Sequence, residues 1–410
     1  DVYKCQYMDS ELDSQILLNT AQQFGTPLYI YNADSITEQY KKLTNAFKGG
    51  NTTFFYACKA LTNINVLKHV KQLGANIDCS SINEIHLAIM SGFVPDQIIF
   101  TSNGVLFEEL AEAVSIGVHV NIDNLSTLKK FGKKYGNTYP ASVRLRPNIM
   151  AGGNINIATG HENSKFGIPI EQIDDIIVLM NEFNININGL HIHSGSDIND
   201  LGVYIREVEV MMDFIAKFPN IEFIDLGGGL KVPYDLHDQE TDINQLSLRL
   251  TALFSKYKRK NGESYQIWFE PGKFLVSKCG YLIARVNVIH DTAATTFVCL
   301  DTGFNHLIRP MLYGAYHRIG NLSNENDDKL PYHIVGNLCE TDTFAENRML
   351  PKISEGDYLV FYNAGAYGFE MSMNYNARFK PAEVMTEGGK ARLIRRRDVL
   401  EDLLKNQVTI

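Results

Sequence analysis

The sequence lacks the features that mark membrane-spanning, secreted, disordered and fibrous proteins. Each apolar run falls short of the roughly 20 residues that a membrane helix needs, and residues 1–5 contain no apolar core of the kind found in signal peptides. Only 12 of the 410 residues are proline and 45% are hydrophobic, which excludes a disordered chain. The 31 glycines show no period, which excludes a collagen-like chain. We therefore expect a globular protein with no membrane segment.

The sequence also lacks an excess of positive charge and lacks cysteines at C-x-x-C spacing. The formal net charge is −9, which argues against a nucleic-acid partner, and the basic run at residues 395–397 is most simply a solvated helix start. No two cysteines show C-x-x-C spacing, so we expect no zinc or other metal site and no disulfide framework. A reducing cytoplasm is the natural setting for such scattered cysteines, which are Cys5, Cys58, Cys79, Cys279, Cys299 and Cys339.

Short apolar runs alternate strictly with amphipathic segments through the first two thirds of the chain. The apolar runs predict eight strands, at residues 53–58, 76–79, 97–101, 118–122, 142–146, 188–193, 222–226 and 266–270. Helical periodicity predicts helices that include residues 35–47, 64–73, 82–90, 106–116, 170–183, 204–218 and 246–260. This order predicts an α/β fold, a (β/α)8 barrel. A doubly wound open sheet is the alternative, and the absence of G-x-G-x-x-G after the early strands weakens it.

The pattern changes after about residue 274. Short apolar runs separated by turns stand at residues 281–290, 296–301, 332–335 and 358–362, and little helix is predicted before residues 397–406. This pattern predicts a second, mainly antiparallel β domain, to which residues 27–31 could add a strand. We therefore predict a barrel at residues 32–275 and a β-rich domain at residues 1–31 and 276–410 that completes the active site.

Polar residues of distinct chemistry stand where the predicted barrel strands end. These ends share one rim of a barrel, and active sites form there. Lys59 follows the first strand, where burial would favour the uncharged amine that Schiff-base chemistry needs, although an exposed lysine is the plainer explanation. Gly227, Gly228 and Gly229 follow the seventh strand, and their backbone N–H groups could hold a phosphate or simply form a tight turn.

Two further rim residues could contact a planar ring. His193, at the end of the sixth strand, could stack on such a ring or could be a satisfied core histidine. Glu270, at the end of the eighth strand, could pair with a ring nitrogen or could cap a turn. A lysine, a phosphate cradle, a carboxylate and a histidine on one rim together describe a pyridoxal-phosphate pocket. The joint pattern is much less expected by chance than any one member.

Motifs continue in a fixed order from about residue 25 to about residue 405. In the barrel they are Tyr56-Ala57-Cys58-Lys59-Ala60, Ser164-Lys165-Phe166-Gly167, His191-Ile192-His193-Ser194-Gly195-Ser196, Gly227-Gly228-Gly229 and Glu270-Pro271-Gly272-Lys273. In the second domain they are Ile308-Arg309-Pro310-Met311-Leu312-Tyr313, Cys339-Glu340, Gly365-Ala366-Tyr367 and Asn374-Tyr375-Asn376. The ordered set resembles the fold-type III pyridoxal-phosphate decarboxylases, and most closely the diaminopimelate decarboxylase family.

The resemblance implies which residues bind the cofactor, pyridoxal 5′-phosphate. Lys59 would hold the cofactor covalently, and His193 would stack on its ring. Glu270 would keep the pyridine nitrogen protonated, which makes the ring a strong electron sink. The remaining cofactor contacts would come from Ser196, Gly227, Gly228, Gly229, Gly272, Lys273 and Tyr367.

The resemblance also implies the reaction, which is decarboxylation of meso-2,6-diaminopimelate to L-lysine, the last step of lysine biosynthesis. Cys339 would supply the proton that replaces carbon dioxide. Arg309 and Tyr313 would bind the carboxylate at the far end of the substrate, because arginine matches a carboxylate with two parallel hydrogen bonds. Glu340 would bind the far ammonium. Substrate contacts would be completed by Lys273 and Tyr367.

The sequence departs from the family pattern at two positions, and the family pattern implies a dimer. Lys273 stands where the family usually has arginine, so the charge is kept but the planar fork is lost. The segment 339–343 is one residue shorter than usual, which leaves the role of Asp342 open. In this family Cys339 and Glu340 would come from the partner subunit, so we expect an obligate homodimer with shared active sites.

Two alternative functions remain. The first is a sister decarboxylase that acts on ornithine, arginine or carboxynorspermidine, and Arg309 argues against a substrate whose far end is purely cationic. The second is a catalytically silent homologue that binds a partner, and the presence of both Lys59 and Cys339 argues against it.

Overall fold

A computed structural model of the protein describes residues 11–149, 164–235 and 237–410. The chain divides into two compact units. The barrel unit comprises Gln39–Val232 and Gln239–Phe274, and the β unit comprises Asp1–Glu38, Pro233–Asp238 and Leu275–Ile410. Within the described ranges, no helix combines the length and the apolar character that crossing a bilayer requires. Cys5 lies outside those ranges, and the other five cysteines are free thiols.

Eight parallel strands close the barrel, as the sequence predicted. They are β2 (Thr52–Ala57), β3 (Asn76–Cys79), β4 (Ile98–Phe100), β5 (His119–Ile122), β6 (Ala141–Arg146), β8 (Ile187–Ile192), β9 (Phe223–Asp225) and β10 (Gln266–Phe269). Their order is β5-β4-β3-β2-β10-β9-β8-β6, and pairing of β5 with β6 closes the ring. A two-residue strand, β7 (Ile168–Pro169), pairs with β6 and was not predicted. Burial on both faces explains why these strands are short continuous apolar runs.

Helices follow the barrel strands, and polar side chains determine where several of them begin. The helices of this unit are Ile64–Gln72, Ile82–Met90, Phe107–Ile116, Leu125–Tyr135, Ile173–Phe183, Leu201–Phe214 and Ile243–Phe254, and helix Ala33–Ala46 precedes β2. Asp200 accepts the N–H of Gly202, and Asp242 accepts the N–H of Gln245. These caps satisfy backbone donors at the helix start, so the two helices predicted at residues 204–218 and 246–260 begin three residues earlier than expected.

Aromatic side chains fill part of the barrel interior. Phe55, Ile99, Phe223 and Trp268 form one buried cluster, and the rings of Phe223 and Trp268 stack with their centroids 3.5 Å apart. These residues come from β2, β4, β9 and β10, and β4 lies four strands away from β9 in the ring. Side chains so far apart around the ring meet only through its centre. The interior of the barrel is therefore filled by a packed core.

The β unit is a nine-stranded, mostly antiparallel sheet, which confirms the predicted second domain. Its strands are β1 (Leu28–Asn32), β11 (Gly280–Asp291), β12 (Thr296–Leu300), β13 (Ile319–Asn321), β14 (Lys329–Val335), β15 (Thr343–Pro351), β16 (Tyr358–Phe361), β17 (Ala382–Glu387) and β18 (Lys390–Arg395). The N-terminal strand β1 lies in the middle of the sheet, antiparallel to β11 and parallel to β17. The predicted addition of residues 27–31 to this sheet is confirmed.

Two helices of the β unit differ from the sequence expectation. Helix Ser14–Phe24 was not predicted, although Asp13 caps it and its apolar residues Leu17 and Ala21 pack against β1 and its neighbours. The C-terminal helix spans only Leu400–Leu404 instead of residues 397–406. A short helix, Arg309–Tyr313, carries two of the predicted substrate residues.

The central strand β1 carries two buried tyrosines with different acceptors. Tyr31 Oη donates to the buried carboxylate of Glu383 over 2.8 Å, whereas Tyr29 Oη donates to the neutral backbone carbonyl of His306 over 2.6 Å. Burial raises the pKa of both tyrosines, and the Glu383 carboxylate adds to the shift. Both hydroxyls therefore stay protonated as donors.

We expect Tyr31→Phe to destabilise the protein more than Tyr29→Phe. Hydrogen bonds to charged groups contribute about 1.5–3 kcal/mol, against about 0.5–1.5 kcal/mol for neutral ones, and loss of the Tyr31 hydroxyl deprives a buried carboxylate of one partner. Urea unfolding of the two variants measures the difference. Equal losses of unfolding free energy would contradict the assignment of the stronger bond to Tyr31.

Candidate active site

Lys59 lies on a tight turn directly after β2, where the sequence predicted it. The 3₁₀ turn Cys58–Ala60 follows the strand, and Tyr56 Oη braces it by donating to the carbonyl of Leu61 over 3.0 Å. The Lys59 side chain is 43% exposed, and its Nζ lies 2.8 Å from Oδ2 of the fully buried Asp78. The turn thus presents an accessible amine whose position is held by a buried acid.

Asp78 connects this amine to the barrel interior. Burial and the neighbouring Glu270 raise the pKa of Asp78, and the Lys59 ammonium and the Thr101 hydroxyl act against that shift. Thr101 donates to the other carboxylate oxygen of Asp78. Both oxygens of this buried carboxylate are therefore satisfied, as burial of a charge requires.

Glu270 belongs to a cluster of three buried ionisable groups. Its carboxylate lies 3.5 Å from His191 Nε2. One carboxylate oxygen of Glu270, one of Asp225 and an imidazole nitrogen of His191 all lie within 4.8 Å of one another. Asn121 holds His191 from the other side, with its amide nitrogen 2.6 Å from Nδ1. Such closely spaced acids cannot both carry full charge without compensation.

The two acids of this cluster have opposite pKa shifts. Burial and the neighbouring Glu270 raise the pKa of Asp225 well above its usual value. Burial alone would also raise the pKa of Glu270, but His191 and Lys59 outweigh it and lower the pKa to about 2. The shifts therefore favour the ionised form of Glu270 and the protonated form of Asp225, which is how active sites separate the roles of neighbouring carboxyl groups.

His193 lies beside the glycine loop and is uncharged. Burial and the neighbouring Arg144 lower the pKa of His193 to about 3. A side chain added at Gly227 would lie 2.7 Å from Cβ of His193, so the imidazole packs directly against this loop. Arg144 approaches the backbone carbonyl of His193 at 3.4 Å and lies over the ring of Phe166.

The glycine loop after β9 is packed too closely for side chains. Gly227 and Gly229 have φ values of +62° and +92°, and a Cβ at Gly228 would lie 2.6 Å from the carbonyl oxygen of Glu270. Asp225 accepts the N–H of Gly227 over 2.8 Å. Only glycine fits these constraints, so the loop is a bare backbone turn tied to the acid cluster.

Ser196 and Gly272 lie on neighbouring loops of the barrel, and Lys273 begins the short helix Lys273–Val276. A Cβ at Gly272 would lie 3.0 Å from Cβ of Ala57, so the segment after β10 packs against the strand that precedes Lys59. Lys273 Nζ lies 2.7 Å from both carboxylate oxygens of Asp197. Asp197 therefore fixes the ammonium of Lys273, a partner that the sequence analysis did not predict.

In the β unit, Arg309 is held by two neighbours. Its guanidinium lies 4.7 Å from the centroid of the Tyr234 ring, and its Nη1 is 3.1 Å from Nε2 of His317. Burial and Arg309 lower the pKa of His317 to about 3. His317 is thus neutral, with Nδ1 donating to the carbonyl of Tyr362 and Nε2 accepting from Arg309. Tyr313 ends the same short helix, one turn from Arg309.

Cys339 and Glu340 form an exposed cluster with Tyr375 and Asn376. Asn376 Nδ2 donates to Cys339 Sγ over 3.0 Å, and its Oδ1 accepts the N–H of Cys339. Tyr375 Oη donates to Glu340 over 2.8 Å and lies 3.8 Å from the sulfur. Hydrogen bonds to Glu340 and Cys339 raise the pKa of Tyr375 to about 12, so this tyrosine remains a donor.

Asp342, whose role the sequence left open, organises the loop that carries Cys339. It is buried, with φ of +46°, and its carboxylate accepts the N–H groups of Phe304 and Leu338 over 2.6 and 3.0 Å. Its carbonyl accepts the N–H of Gly336 over 2.8 Å.

Tyr367 also has a positive φ, +56°, an uncommon backbone state for a non-glycine residue.

The barrel residues fit a pyridoxal group. The donor set contains an accessible lysine amine, an ionised carboxylate and a neutral imidazole, which are the groups that would attach such a ring, stabilise a proton on its nitrogen and pack against its face. The glycine loop beside them exposes backbone without side chains, as close approach to a phosphate requires.

Several residues of this cluster were missed by sequence reasoning, namely Asp78, Asn121, Arg144, His191 and Asp225. All lie in the barrel strands, and all are buried. The available signal was a polar or charged side chain inside an otherwise apolar strand. Because burying such a group is costly without a partner, each of these residues predicts a partner on a neighbouring strand.

Comparison with known proteins agrees with this geometry. Residues 33–277 match the family described as pyridoxal-dependent decarboxylase, pyridoxal binding domain. A diaminopimelate decarboxylase from Methanothermobacter thermautotrophicus is 38% identical over 94% of this chain and 92% of that protein. The chain belongs to the diaminopimelate decarboxylases.

Solved structures of diaminopimelate decarboxylases agree with the fold over nearly the whole chain. One superimposes with a TM-score of 0.90 at 31% identity, over 97% of each chain. Another, from Helicobacter pylori and complexed with L-lysine, has a TM-score of 0.86 at 30% identity, over 95% of this chain and 98% of that one.

We expect Asp342→Ala to lower turnover while cofactor binding is retained. Removing the carboxylate takes the acceptor from the half-buried N–H of Phe304 and from the buried N–H of Leu338, at a cost of about 1–3 kcal/mol for the buried one, and releases the loop that carries Cys339 and Glu340. Asp342→Asn keeps one acceptor oxygen and should lose less. Turnover, cofactor absorbance and unfolding free energy of the two variants test this. An alanine variant with unchanged turnover and stability would contradict it.

Proposed function

We propose that the protein catalyses the decarboxylation of meso-2,6-diaminopimelate to L-lysine and carbon dioxide with pyridoxal 5′-phosphate. The observation that carries the proposal is the barrel rim itself. There an accessible lysine and an ionised buried carboxylate lie beside a side-chain-free glycine loop. Relatives named diaminopimelate decarboxylase, one of them a structure complexed with L-lysine, support the choice of reaction.

Pyridoxal phosphate, when bound, supplies an electron sink for the electron pair left on the α-carbon as carbon dioxide departs. Lys59 provides through Nζ the amine for attachment, and Asp78 holds that amine at 2.8 Å. Glu270 stays ionised and would keep a proton at the pyridine nitrogen, while the neutral His193 would pack against the ring. We propose that the phosphate contacts come from Ser196, Gly227, Gly228, Gly229, Gly272, Lys273 and Tyr367.

Cys339 is the proposed proton donor to the α-carbon. Its thiol is exposed, and Asn376 positions the residue by donating one hydrogen bond to the sulfur and accepting another from the backbone N–H of Cys339. Delivery from a positioned thiol determines on which face the new C–H bond forms. Because the proton comes from Sγ, solvent must restore it before the next turnover.

Recognition of the far end of the substrate is assigned to the β unit. Arg309 is buried and held between Tyr234 and His317, so its fork is preorganised for a carboxylate. Tyr313 adds a hydroxyl, and Glu340 supplies a negative charge for the far ammonium. Lys273 and Tyr367 are the further proposed substrate contacts. A substrate without the far carboxylate would leave the Arg309 charge uncompensated.

We expect carbon dioxide release from meso-diaminopimelate to exceed release from ornithine or carboxynorspermidine. Arg309→Met should raise KM for diaminopimelate about ten-fold or more, since a charge-assisted pair contributes about 1.5–3 kcal/mol. The assay compares the three substrates and the three diaminopimelate stereoisomers. Arg348→Met, which removes a neighbouring cation bonded to the His317 carbonyl, is the control. Preference for ornithine or carboxynorspermidine would favour the sister decarboxylases instead.

We further propose an obligate homodimer in which Cys339 and Glu340 of one protomer complete the barrel site of the other. The exposure of the Cys339 cluster supports this, because a proton donor must be covered from water to act on substrate. The apolar side chains exposed on the same unit, such as Tyr375 and Phe379, also suit an interface. The free thiols support a reducing, cytoplasmic setting.

Mixing two inactive variants tests the shared site. Lys59→Ala and Cys339→Ala should each abolish most turnover, yet random exchange of subunits should restore about a quarter of wild-type activity, because half of the dimers then carry one intact site. Each variant alone, taken through the same exchange, is the control. No recovery in verified mixed dimers, or full turnover by a strictly monomeric preparation, would contradict the proposal.

A further inference from the structure

Helix Leu201–Phe214 carries two buried polar residues that the proposed reaction does not use. Tyr204 and Glu207 are both fully buried and stand three positions apart, so they share one face of the helix. Tyr204 Oη donates to the carbonyl of Gly228 over 3.0 Å. Glu207 accepts hydrogen bonds from the hydroxyl and the backbone N–H of Ser194.

These bonds reach the two loops that are proposed to contact the cofactor, the glycine loop at residues 227–229 and the segment His193–Ser196. Together these two loops are called the cofactor cradle. Gly228 is the middle residue of the glycine loop, and Ser194 follows His193 directly and precedes Gly195 and Ser196. The two loops also touch each other, because Ile198 donates to the carbonyl of Gly229 over 2.8 Å. One face of the helix therefore bonds to both loops, close to the place where the loops contact each other.

A carboxyl group at position 207 is costly and needs a reason. The other buried residues of this helix include Val203, Val208, Met211 and Met212, and an apolar residue at position 207 would pack with them without burying a polar group. Glu207 Oε2 has no hydrogen-bond partner among the residues that the structure describes. Stability of the helix alone does not account for this group, whereas holding Ser194 does.

We propose that Tyr204 and Glu207 are positioning residues. They hold the His193–Ser196 segment and the glycine loop in the relative position that cofactor binding requires. The inference rests on the proposed function, because it takes these loops as the cofactor cradle. The two residues contact the loops and not the reacting atoms, so they act on cofactor retention rather than on the chemical step.

The protonation state of Glu207 identifies the matched replacement. Burial raises the pKa of Glu207 to about 8, although the bonds from Ser194 oppose the shift. The side chain is therefore largely a neutral carboxylic acid at pH 7. Glutamine has the same shape, the same neutral charge and a carbonyl acceptor for Ser194, so Glu207→Gln should preserve the brace, whereas Glu207→Leu removes it.

The test is the rate at which full-length holoprotein loses pyridoxal phosphate on dilution into a cofactor trap, followed by the absorbance of the bound cofactor. Tyr204→Phe and Glu207→Leu should release it about three- to ten-fold faster, the equivalent of one lost hydrogen bond, and Glu207→Gln should match the wild type. Tyr139→Phe is the control, because that hydroxyl also donates to a backbone carbonyl of the barrel, that of Val118 over 2.6 Å, but outside the cradle.

The outcomes separate the possibilities. Faster release in Tyr204→Phe with no change in Tyr139→Phe supports the inference even if Glu207→Leu fails to fold. Unchanged release in Tyr204→Phe, or release in Glu207→Gln as fast as in Glu207→Leu, overturns it. A wild-type protein that binds no pyridoxal phosphate overturns the proposed function itself, and the inference with it.

Discussion

The barrel site depends on the need to compensate negative charge buried at one rim. Asp78, Asp225 and Glu270 are almost completely inaccessible to water, and three free carboxylates so placed would be strongly unfavourable. Two features compensate this charge: the pKa of Asp225 is raised, which favours its protonated form, and the other two carboxyl groups lie near Lys59, Arg144 and His191. The position of the reactive amine is thus a consequence of charge balance in the barrel, and not only of the turn that carries Lys59.

The same constraint explains how the residues divide their roles. Glu270 remains ionised because His191 and Lys59 lower its pKa, so it can hold a proton on a ring nitrogen, while burial, with Arg144 beside it, lowers the pKa of His193 and keeps it neutral. In the β unit the buried charge is positive instead of negative. The neutral His317 and the Tyr234 ring contact the buried Arg309 guanidinium, and neither carries a negative charge that would neutralise it. Its charge remains available for an anionic ligand.

The fold was largely predictable because its signal is local. Buried parallel strands are short apolar runs, and the eight predicted strands agree with the observed ones to within one or two residues at each end. Helix starts were less predictable, since Asp200 and Asp242 cap their helices through side-chain bonds that periodicity does not register. Residues at strand ends were found for the same local reason. Residues inside strands, such as Arg144 and His191, were missed because their partners come from distant parts of the chain. The Lys273–Asp197 pair spans 76 positions and was missed in the same way.

Borohydride reduction of the holoprotein, followed by digestion and mass spectrometry of the peptides, identifies the lysine that carries the cofactor. Reduction fixes the cofactor to the amine that carries it. We expect a single phosphopyridoxyl label, on the peptide that contains Lys59. A label on another lysine such as Lys273, or the absence of any label from a protein that shows cofactor absorbance, would contradict it.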